Sequence, residues 1–231
     1  MKEKIAIALD VSSREDALRL VKNLHDLAGM FKVGSQLYMA AGPSVVREIL
    51  DAGGKVFLDL KFHDIPNTVT HATLEAARLG VSMMTIHASG GRAMMESVAK
   101  EVREKFGEKK PAIVAVTVLT SLDEQGLSEI GVERPLNDHV QLLALLAQEC
   151  GIDGVVCSPH EIQLVRKAAR PTFKIVVPGI RMPDQSMNDQ QRAATPRDAL
   201  SAGADCLVIG RAVTNDRDPR AALERIIQSA G

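Results

Sequence analysis

Eight short apolar runs recur along the chain, and each is followed by a longer amphipathic stretch. The runs begin near Ile5, Met30, Lys55, Ser82, Ala112, Ile152, Phe173 and Asp205. Continuous apolar runs rich in β-branched residues are typical of strands buried on both faces, as in a parallel sheet. Eight such strands alternate with helices, and no Pro/Ser-rich linker separates them. The pattern predicts an α/β protein with a single (β/α)8 barrel, a TIM barrel, as one catalytic domain over residues 1–231.

The stretches between the runs have helical periodicity. From Ser13 to Ala28 the apolar residues recur at three- and four-residue spacing, and Ser13 is a candidate N-cap. The widest interval, from Ala112 to Ile152, has room for an additional helix around residues 121–130. A doubly wound open sheet is the structural alternative. It usually carries a glycine fingerprint after the first strand, whereas this chain has LDVSS there.

Composition argues against a nucleic-acid partner. Lys and Arg total 28 and Asp and Glu total 29, so the net charge is −1 and no basic field gathers nucleic acid. Aromatic residues make up 3% of the chain and Trp is absent, which leaves little material for base stacking. We therefore expect no nucleic-acid partner.

The cysteines and the N-terminus bear on location. Cys150, Cys157 and Cys206 are odd in number and contain no C-x-x-C pair, which favours a reducing compartment over a disulfide framework. The first apolar run, Ile5 to Leu9, is shorter than the apolar region of a signal peptide, and Asp10 ends it. Nowhere are there about 18 uninterrupted apolar residues, the length needed to span a membrane. The sequence predicts a soluble, cytoplasmic protein with no membrane partner.

Polar and charged residues collect where the predicted strands end. In a (β/α)8 barrel the active site lies at the carboxyl ends of the strands. The residues at those positions are Asp10, Lys32, Asp59, Lys61, Asp64, His87, Thr120 and Arg211. The barrel core beneath them requires only apolar side chains, so two acid–base pairs on the first three strands predict a chemical site.

The densest segment is DLKFHDIPNT, residues 59–68. Strand periodicity places Asp59 and Lys61 on the same face, pointing into the barrel mouth. Asp64 lies beyond the strand end, and Pro66 begins the next helix. Neighbouring carboxylates keep a buried lysine charged, and crowding two carboxylates raises the local negative potential. This arrangement suits a site that repels an anionic leaving group and delivers a proton from the lysine.

A second candidate site follows the last two strands. Phosphate in such barrels is often held by the loops after strands seven and eight and by a helix N-terminus. Strand seven ends in VPGIR, which includes Arg181, and a long polar loop continues through Gln190. Strand eight ends in Gly210, which permits close backbone approach, and Arg211, which offers a guanidinium fork. These residues predict a phosphate site.

His87, at the end of the fourth strand, has three interpretations. It could be a metal ligand with Asp10 or Asp59, a general base, or a packed, hydrogen-bonded residue that shapes a loop. No second histidine accompanies it at ligand spacing, so we favour the structural role and predict no metal site.

The chain resembles the orotidine 5′-phosphate decarboxylase family over essentially its whole length, from IAIALD to VIGRAVT. Its most specific element is DLKFHDIPNT, and the HASGG, VLTS, VPGIR and IGR segments follow in the expected order. The resemblance implies a barrel that converts orotidine 5′-phosphate to UMP in de novo pyrimidine biosynthesis, with no metal and no organic cofactor.

The resemblance also implies roles for individual residues. The catalytic lysine falls on Lys61, which would stabilise and protonate the carbanion at C6, and Asp59 would lie near the departing carboxylate. The family's charged tetrad falls on Lys32, Asp59, Lys61 and Asp64. In a homodimer, Asp64 and Thr68 would reach the site of the partner subunit. Substrate contacts fall on Asp10, Lys32, Asp59, Lys61, Asp64, Thr68, Thr120, Arg181, Gln190, Gly210 and Arg211.

Two other functions fit part of the pattern. A Mg²⁺-dependent sugar-phosphate decarboxylase or aldolase can carry a similar D-x-K-x-x-D barrel. The IPNT after Asp64, and the lack of a third acidic ligand at the strand ends, count against it. A non-catalytic barrel that only binds a phosphorylated metabolite would not require Asp59 and Lys61 side by side. A test of metal dependence distinguishes the first alternative from a decarboxylase that needs no metal. An assay for loss of orotidine absorbance distinguishes the second alternative from any enzyme that decarboxylates orotidine 5′-phosphate.

Overall fold

The computed structural model describes residues 1–180 and 194–230, and in it eight parallel strands close into a barrel in chain order. The strands are β1 (Ile5–Ala8), β2 (Met30–Gly34), β3 (Val56–Phe62), β4 (Met83–His87), β5 (Ala112–Val116), β6 (Gly154–Val156), β7 (Lys174–Val177) and β8 (Cys206–Ile209). Pairing of β1 with β8 completes the closure. Each apolar run of the sequence contains one strand, so the predicted (β/α)8 barrel is confirmed.

Helices connect the strands. They are α1 (Arg14–Leu24), α2 (Ser35–Ala41), α3 (Ser44–Asp51), α4 (Pro66–Arg78), α5 (Gly91–Phe106), α6 (Glu124–Glu129), α7 (Leu136–Glu149), α8 (Ile162–Ala168), α9 (Pro196–Ala202), α10 (Arg211–Thr214) and α11 (Pro219–Ser229). Short 3-10 turns cover Lys2–Lys4, Ala88–Gly90, Gly107–Lys109 and Pro159–Glu161. No helix in residues 1–180 and 194–230 is both long and apolar enough to cross a bilayer.

Local signals in the sequence set several helix ends. Ser13 caps α1, because its hydroxyl oxygen accepts the Asp16 N–H at 3.1 Å. Pro66 is the first residue of α4, where its fixed φ suits the helix and its missing N–H costs nothing. The additional helix expected around residues 121–130 is α6, whose N-cap Asp123 accepts the Gly126 N–H at 2.9 Å.

Apolar residues fill the barrel and also the layer between the strands and the helices. The interior group is Ala6, Ala8, Phe57, Met83, Val114, Val176, Cys206 and Val208. Side chains alternate along a strand, so the next inward positions after Ala8, Phe57 and Met83 are Asp10, Asp59 and Thr85. The same alternation that packs the core therefore turns polar at the carboxyl ends of the strands and places the candidate site on an apolar floor.

Candidate active site

A cavity of about 700 Å³ opens at the carboxyl ends of the strands. That volume lies in the range of small-molecule sites, roughly 300–1,000 Å³. Sequence-predicted residues found in its wall are Asp10, Lys32, Asp59, Lys61, Thr120, Gly210 and Arg211. The structure thus brings the acid–base pairs of the first three strands and the glycine–arginine pair after β8 to one cavity.

Four charged residues, one just beyond β1 and three on β2 and β3, form a cluster of alternating sign, the charged cluster Asp10, Lys32, Asp59 and Lys61. Lys32 Nζ lies 3.1 Å from Asp10 Oδ1 and 3.6 Å from Asp59 Oδ2. Asp59 Oδ1 lies 2.9 Å from Lys61 Nζ. Because β1, β2 and β3 are adjacent parallel strands, each charge faces one of opposite sign on the neighbouring strand or on its own.

The solvent exposure of the side chains divides the charged cluster into an inner and an outer part. The side chains of Lys32 and Asp59 are 11% and 12% exposed, whereas those of Lys61 and Asp10 are 39% and 50% exposed. Removing one partner of a buried ion pair leaves an uncompensated charge, which costs about 3–5 kcal/mol. Lys32 and Asp59 therefore compensate each other's charge in the inner part, and Lys61 lies in the cavity wall.

Strand β3 departs from regular pairing where these groups lie. Leu58 pairs with Met84 and Phe62 with Ile86, so β3 advances four residues while β4 advances two. Lys61 has φ of 51°, the one positive φ outside glycine among the described residues. Asp59 and Lys61 do meet, as expected, but through a bulge and not through regular strand alternation. A bulge of this kind re-aims a side chain next to a site.

Thr85 of β4 occupies the space opposite this bulge. Its hydroxyl oxygen accepts the Lys61 N–H at 2.8 Å, and its own O–H donates to Asp59 Oδ1 at 3.0 Å. Sequence reasoning did not select Thr85 as a site residue. The signal available was its place two residues beyond Met83, in an otherwise apolar series of inward-facing positions.

Gly34, at the end of β2, is a second residue that the sequence argument missed. A Cβ at this position would lie 3.2 Å from Lys32 Nζ and 3.7 Å from Asp10 Oδ1. A contact of 3.2 Å would oblige the ammonium group to shift. Glycine therefore leaves the space in which Lys32 pairs with Asp10.

The residues expected to bind phosphate follow β8, the strand that pairs with β1. Gly210 precedes α10, and the exposed Arg211 begins that helix. Gln36 and Asn215 also line the cavity, although the sequence argument did not select them. Arg181 and Gln190, the two expected contacts of the loop after β7, lie outside the described residues.

Asp64 and Thr68 are not brought to the cavity of their own chain. Both are exposed, and neither belongs to the cavity wall. Asp64 Oδ1 accepts the Ile65 N–H at 2.6 Å, and Asp64 forms no ion pair with Lys61 within the chain. The adjacent Ile65 is 66% exposed. In the isolated subunit this segment is exposed and is not part of the cavity wall that contains Lys61.

His87 is packed and hydrogen-bonded. Its ring stacks on that of His63 with centroids 5.1 Å apart, and Nδ1 lies 2.7 Å from Ser89 Oγ. Burial, and then the charges of His63 and Lys61, lower the pKa of His87 to about 4, so the ring is neutral at pH 7. Among the described residues, no three His, Cys, Asp or Glu side chains are placed to hold a metal ion. These contacts fit the loop-shaping interpretation of His87.

The fold and the cavity together define the class: an enzyme of the (β/α)8-barrel type with an acid–base cluster at the carboxyl ends of its strands. A match to a family model narrows this class. Residues 3–226 match the model described as "Orotidine 5'-phosphate decarboxylase / HUMPS family". The chain belongs to this family.

Individual relatives agree with that assignment. A curated protein of Syntrophotalea carbinolica named "Orotidine 5'-phosphate decarboxylase" is 50% identical over 98% of this chain and 94% of its own. One of the same name from Syntrophomonas wolfei is 52% identical over 97% of this chain and 96% of its own. The crystal structure of orotidine 5'-phosphate decarboxylase from Lactobacillus acidophilus superposes with a TM-score of 0.85 at 35% identity, and covers 98% of both chains.

Proposed function

We propose that this chain decarboxylates orotidine 5′-phosphate to UMP in pyrimidine biosynthesis and that Lys61 donates the proton to C6. The observation that carries the proposal is the Lys61 ammonium group, held 2.9 Å from Asp59 in the cavity that also contains Arg211. Curated relatives of about 50% identity with the name of this activity support it.

The reacting end of the cavity suits the chemistry of this step. The bond between C6 and the carboxylate breaks, CO₂ leaves as a neutral molecule, and an electron pair remains on C6. An ammonium group fixed beside that carbon stabilises the developing negative charge, and it then gives up one N–H proton to form UMP. Groups placed in advance for transition-state charge are the strongest general source of rate enhancement. Solvent reprotonates the amine after turnover.

Asp59 acts at the departing carboxylate. Its own negative charge disfavours a second carboxylate beside it and does not oppose neutral CO₂. Lys32 pairs with Asp59 and with Asp10, and we expect Lys32 and Asp10 to contact the ribose hydroxyl groups. The repulsion between the Asp59 carboxylate and the substrate carboxylate is therefore relieved as CO₂ forms, and this relief lowers the barrier to bond cleavage.

Phosphate binding at a distance from C6 supplies the energy that holds the substrate in this crowded site. Arg211 and Gly210 would contact the phosphate, together with Arg181 and Gln190. Thr120, in the wall of the same cavity, would be a further substrate contact. Binding energy from a remote group can be used to close and desolvate the reacting end.

We also propose that the protein is a homodimer in which Asp64 and Thr68 complete the partner subunit's site. Both residues are exposed, and they flank Ile65, which is 66% exposed in the isolated chain. A two-fold dimer would cover this apolar side chain and make the exchange of residues reciprocal. A cytoplasmic location is part of the proposal, and it is supported by Cys150, Cys157 and Cys206, which are buried and not joined in disulfides.

A direct assay tests the proposed activity. Purified protein is mixed with orotidine 5′-phosphate, and the loss of orotidine absorbance is followed while UMP is identified as the product. Turnover to UMP supports the proposal. Tight binding of the nucleotide without turnover would instead favour a barrel that only binds a phosphorylated metabolite.

Activity should survive exhaustive treatment with EDTA, because the proposed proton donor is Lys61 and no metal enters the proposed reaction. The measurement is turnover before and after removal of the chelator, with and without added Mg²⁺. Loss of activity with EDTA and its return with Mg²⁺ would favour the sugar-phosphate decarboxylase or aldolase alternative.

Arg211→Ala should weaken the reaction of the nucleotide far more than that of the nucleoside orotidine, which has no phosphate. A charged hydrogen bond is lost, and we expect kcat/KM for the nucleotide to fall by about 10²-fold or more, at roughly 1.5–3 kcal/mol for such a bond. Rates with both substrates are compared for the variant and the parent. Arg197→Ala, an exposed arginine of α9, serves as the control. Equal losses with both substrates would show that Arg211 does not bind the phosphate.

A further inference from the structure

We propose that Thr85 is a positioning residue for decarboxylation: its hydroxyl group orients the Asp59 carboxylate and fixes the backbone from which Lys61 extends. This inference rests on the proposed function, because it assigns Thr85 a task through Asp59 and Lys61. Thr85 is fully buried and does not belong to the cavity wall, so it acts through these two residues and not on the substrate.

The hydrogen bonds of Thr85 fix the direction of its single proton. The hydroxyl oxygen accepts the Lys61 N–H at 2.8 Å, a backbone group that can only donate. The hydroxyl proton is then directed to Asp59 Oδ1, 3.0 Å away. Thr85 therefore joins the backbone of one charged residue to the side chain of the other, and a β-branched side chain holds this geometry with little freedom at χ1.

The backbone of Lys61 needs this partner because the bulge removes the usual one. In regular pairing a β3 N–H donates to a carbonyl of β4, but β3 has two extra residues between Leu58 and Phe62. The Thr85 hydroxyl takes the place of that carbonyl. It accepts the N–H of a residue whose φ of 51° is sparsely populated by side chains other than glycine. The position of the Lys61 Cα thus depends on a side chain of the neighbouring strand.

The Asp59 carboxylate needs the same partner for its rotation. Its Oδ1 atom receives both the Thr85 O–H and Lys61 Nζ, at 3.0 Å and 2.9 Å, while Oδ2 faces Lys32 Nζ at 3.6 Å. The terminal torsion of an aspartate is broad in the absence of such contacts. With the hydroxyl in place, each carboxylate oxygen is assigned to one lysine.

The surroundings of Thr85 argue against a packing role alone. Met83, the preceding inward position on β4, is apolar, and so are the inward residues Val114 and Val176 of β5 and β7. A valine would fill the same volume as threonine in such a layer. Within the described part of the chain, the Thr85 hydroxyl group bonds only to Asp59 and to the Lys61 N–H.

Thr85→Val removes the hydroxyl group and keeps the shape, so it tests the proposal directly. We expect kcat for orotidine 5′-phosphate to fall by about 30-fold or more while KM stays within about threefold, because the phosphate end is untouched. Thr85→Ser keeps the hydroxyl, and its kcat should stay within about threefold of the parent. Thr85→Cys, a weaker hydrogen-bonding group, should lie between the two.

Thr117→Val is the matched control. Thr117 is also a buried threonine, and it directly follows β5. Its hydroxyl donates to the Val156 carbonyl at 2.9 Å and makes no contact with the charged cluster. This variant should lose thermal stability to a similar extent as Thr85→Val and keep its kcat. A purely structural role for Thr85 predicts instead that the two variants behave alike in kcat.

Several outcomes would overturn the proposal. Thr85→Val with a kcat within threefold of the parent would do so, as would equal losses of kcat in Thr85→Val and Thr117→Val. If Thr85→Val does not fold, the comparison of Ser with Cys decides, and equal kcat values for these two would also count against it. A parent protein that binds the nucleotide but forms no UMP would refute the proposed function itself, which is a different result from an active parent with an unaffected Thr85→Val.

Discussion

Lys61→Ala is expected to remove nearly all decarboxylation while leaving binding of the phosphate end largely intact. The variant loses the ammonium group that would stabilise negative charge on C6 and supply its proton, and no second ammonium group in the described wall is placed to replace it. Lys32, the other lysine of the charged cluster, has a side chain that is 11% exposed and lies between Asp10 and Asp59. Turnover in a direct assay and the dissociation constant of UMP are the two measurements.

A second lysine variant shows whether a loss of activity comes from the missing ammonium group or from impaired folding. Lys55→Ala is a suitable control, because Lys55 immediately precedes β3 and its exposed side chain pairs with Glu3 at 3.3 Å, at the opposite end of the strand from Lys61. An exposed pair of this type contributes at most about 1 kcal/mol to stability. Turnover by Lys61→Ala within about tenfold of the parent, roughly 1.4 kcal/mol of barrier, would contradict the assignment of the proton donor.

The barrel could be predicted from sequence because each strand carries its own evidence. A parallel barrel buries both faces of every strand, so each strand reads as a continuous apolar run, and eight such runs are visible. The position of the site could be predicted in the same way, since Asp10, Lys32 and Asp59 are charged residues within or directly after the first three runs, and all three line the cavity. Charge after an apolar strand is conspicuous because the core beneath tolerates none.

The bulge in β3 and the task of Thr85 could not be predicted in this way. Period-two alternation also brings Asp59 and Lys61 to one face, so the sequence gives no sign that two extra residues interrupt the ladder. Threonine is common in strands, so Thr85 does not stand out in the sequence. Its role becomes visible only when the strand register places it against Lys61. The geometry arises from pairing between strands that are distant in sequence, and such pairing is not encoded in a local pattern.

Asp64 illustrates a different limit. It lies only three residues beyond Lys61, yet it is exposed and lies outside the cavity wall, and its carboxylate accepts the N–H of the next residue, Ile65, at 2.6 Å. Pro66 fixes its own φ and restricts Ile65 to extended geometry, with φ −59° and ψ 153°. Proximity in sequence therefore does not place Asp64 beside Lys61 of the same chain. Its proposed task depends on a second subunit.

Mixing inactive Lys61→Ala chains with inactive Asp64→Ala chains is expected to restore about a quarter of the parent activity. Random pairing makes about half of all dimers mixed, and two-fold symmetry gives each mixed dimer one site with both residues intact and one with neither. The mixture is incubated under conditions that allow subunit exchange. Turnover is then measured, and mixed dimers are counted by a mass or affinity tag on one of the two chains.

Asp59→Ala is the control for this mixing experiment, because Asp59 belongs to the same subunit's site as Lys61. Asp59 and Lys61 lie 2.9 Å apart in the same chain, so a mixture of Lys61→Ala with Asp59→Ala places one defect in each site of every mixed dimer. That mixture should stay inactive even though it exchanges subunits in the same way. Recovery with Asp64→Ala but not with Asp59→Ala would show that Asp64 acts across the interface between subunits. If mixed dimers form and neither mixture gains activity, Asp64 serves the site of its own subunit and the shared-site proposal is wrong.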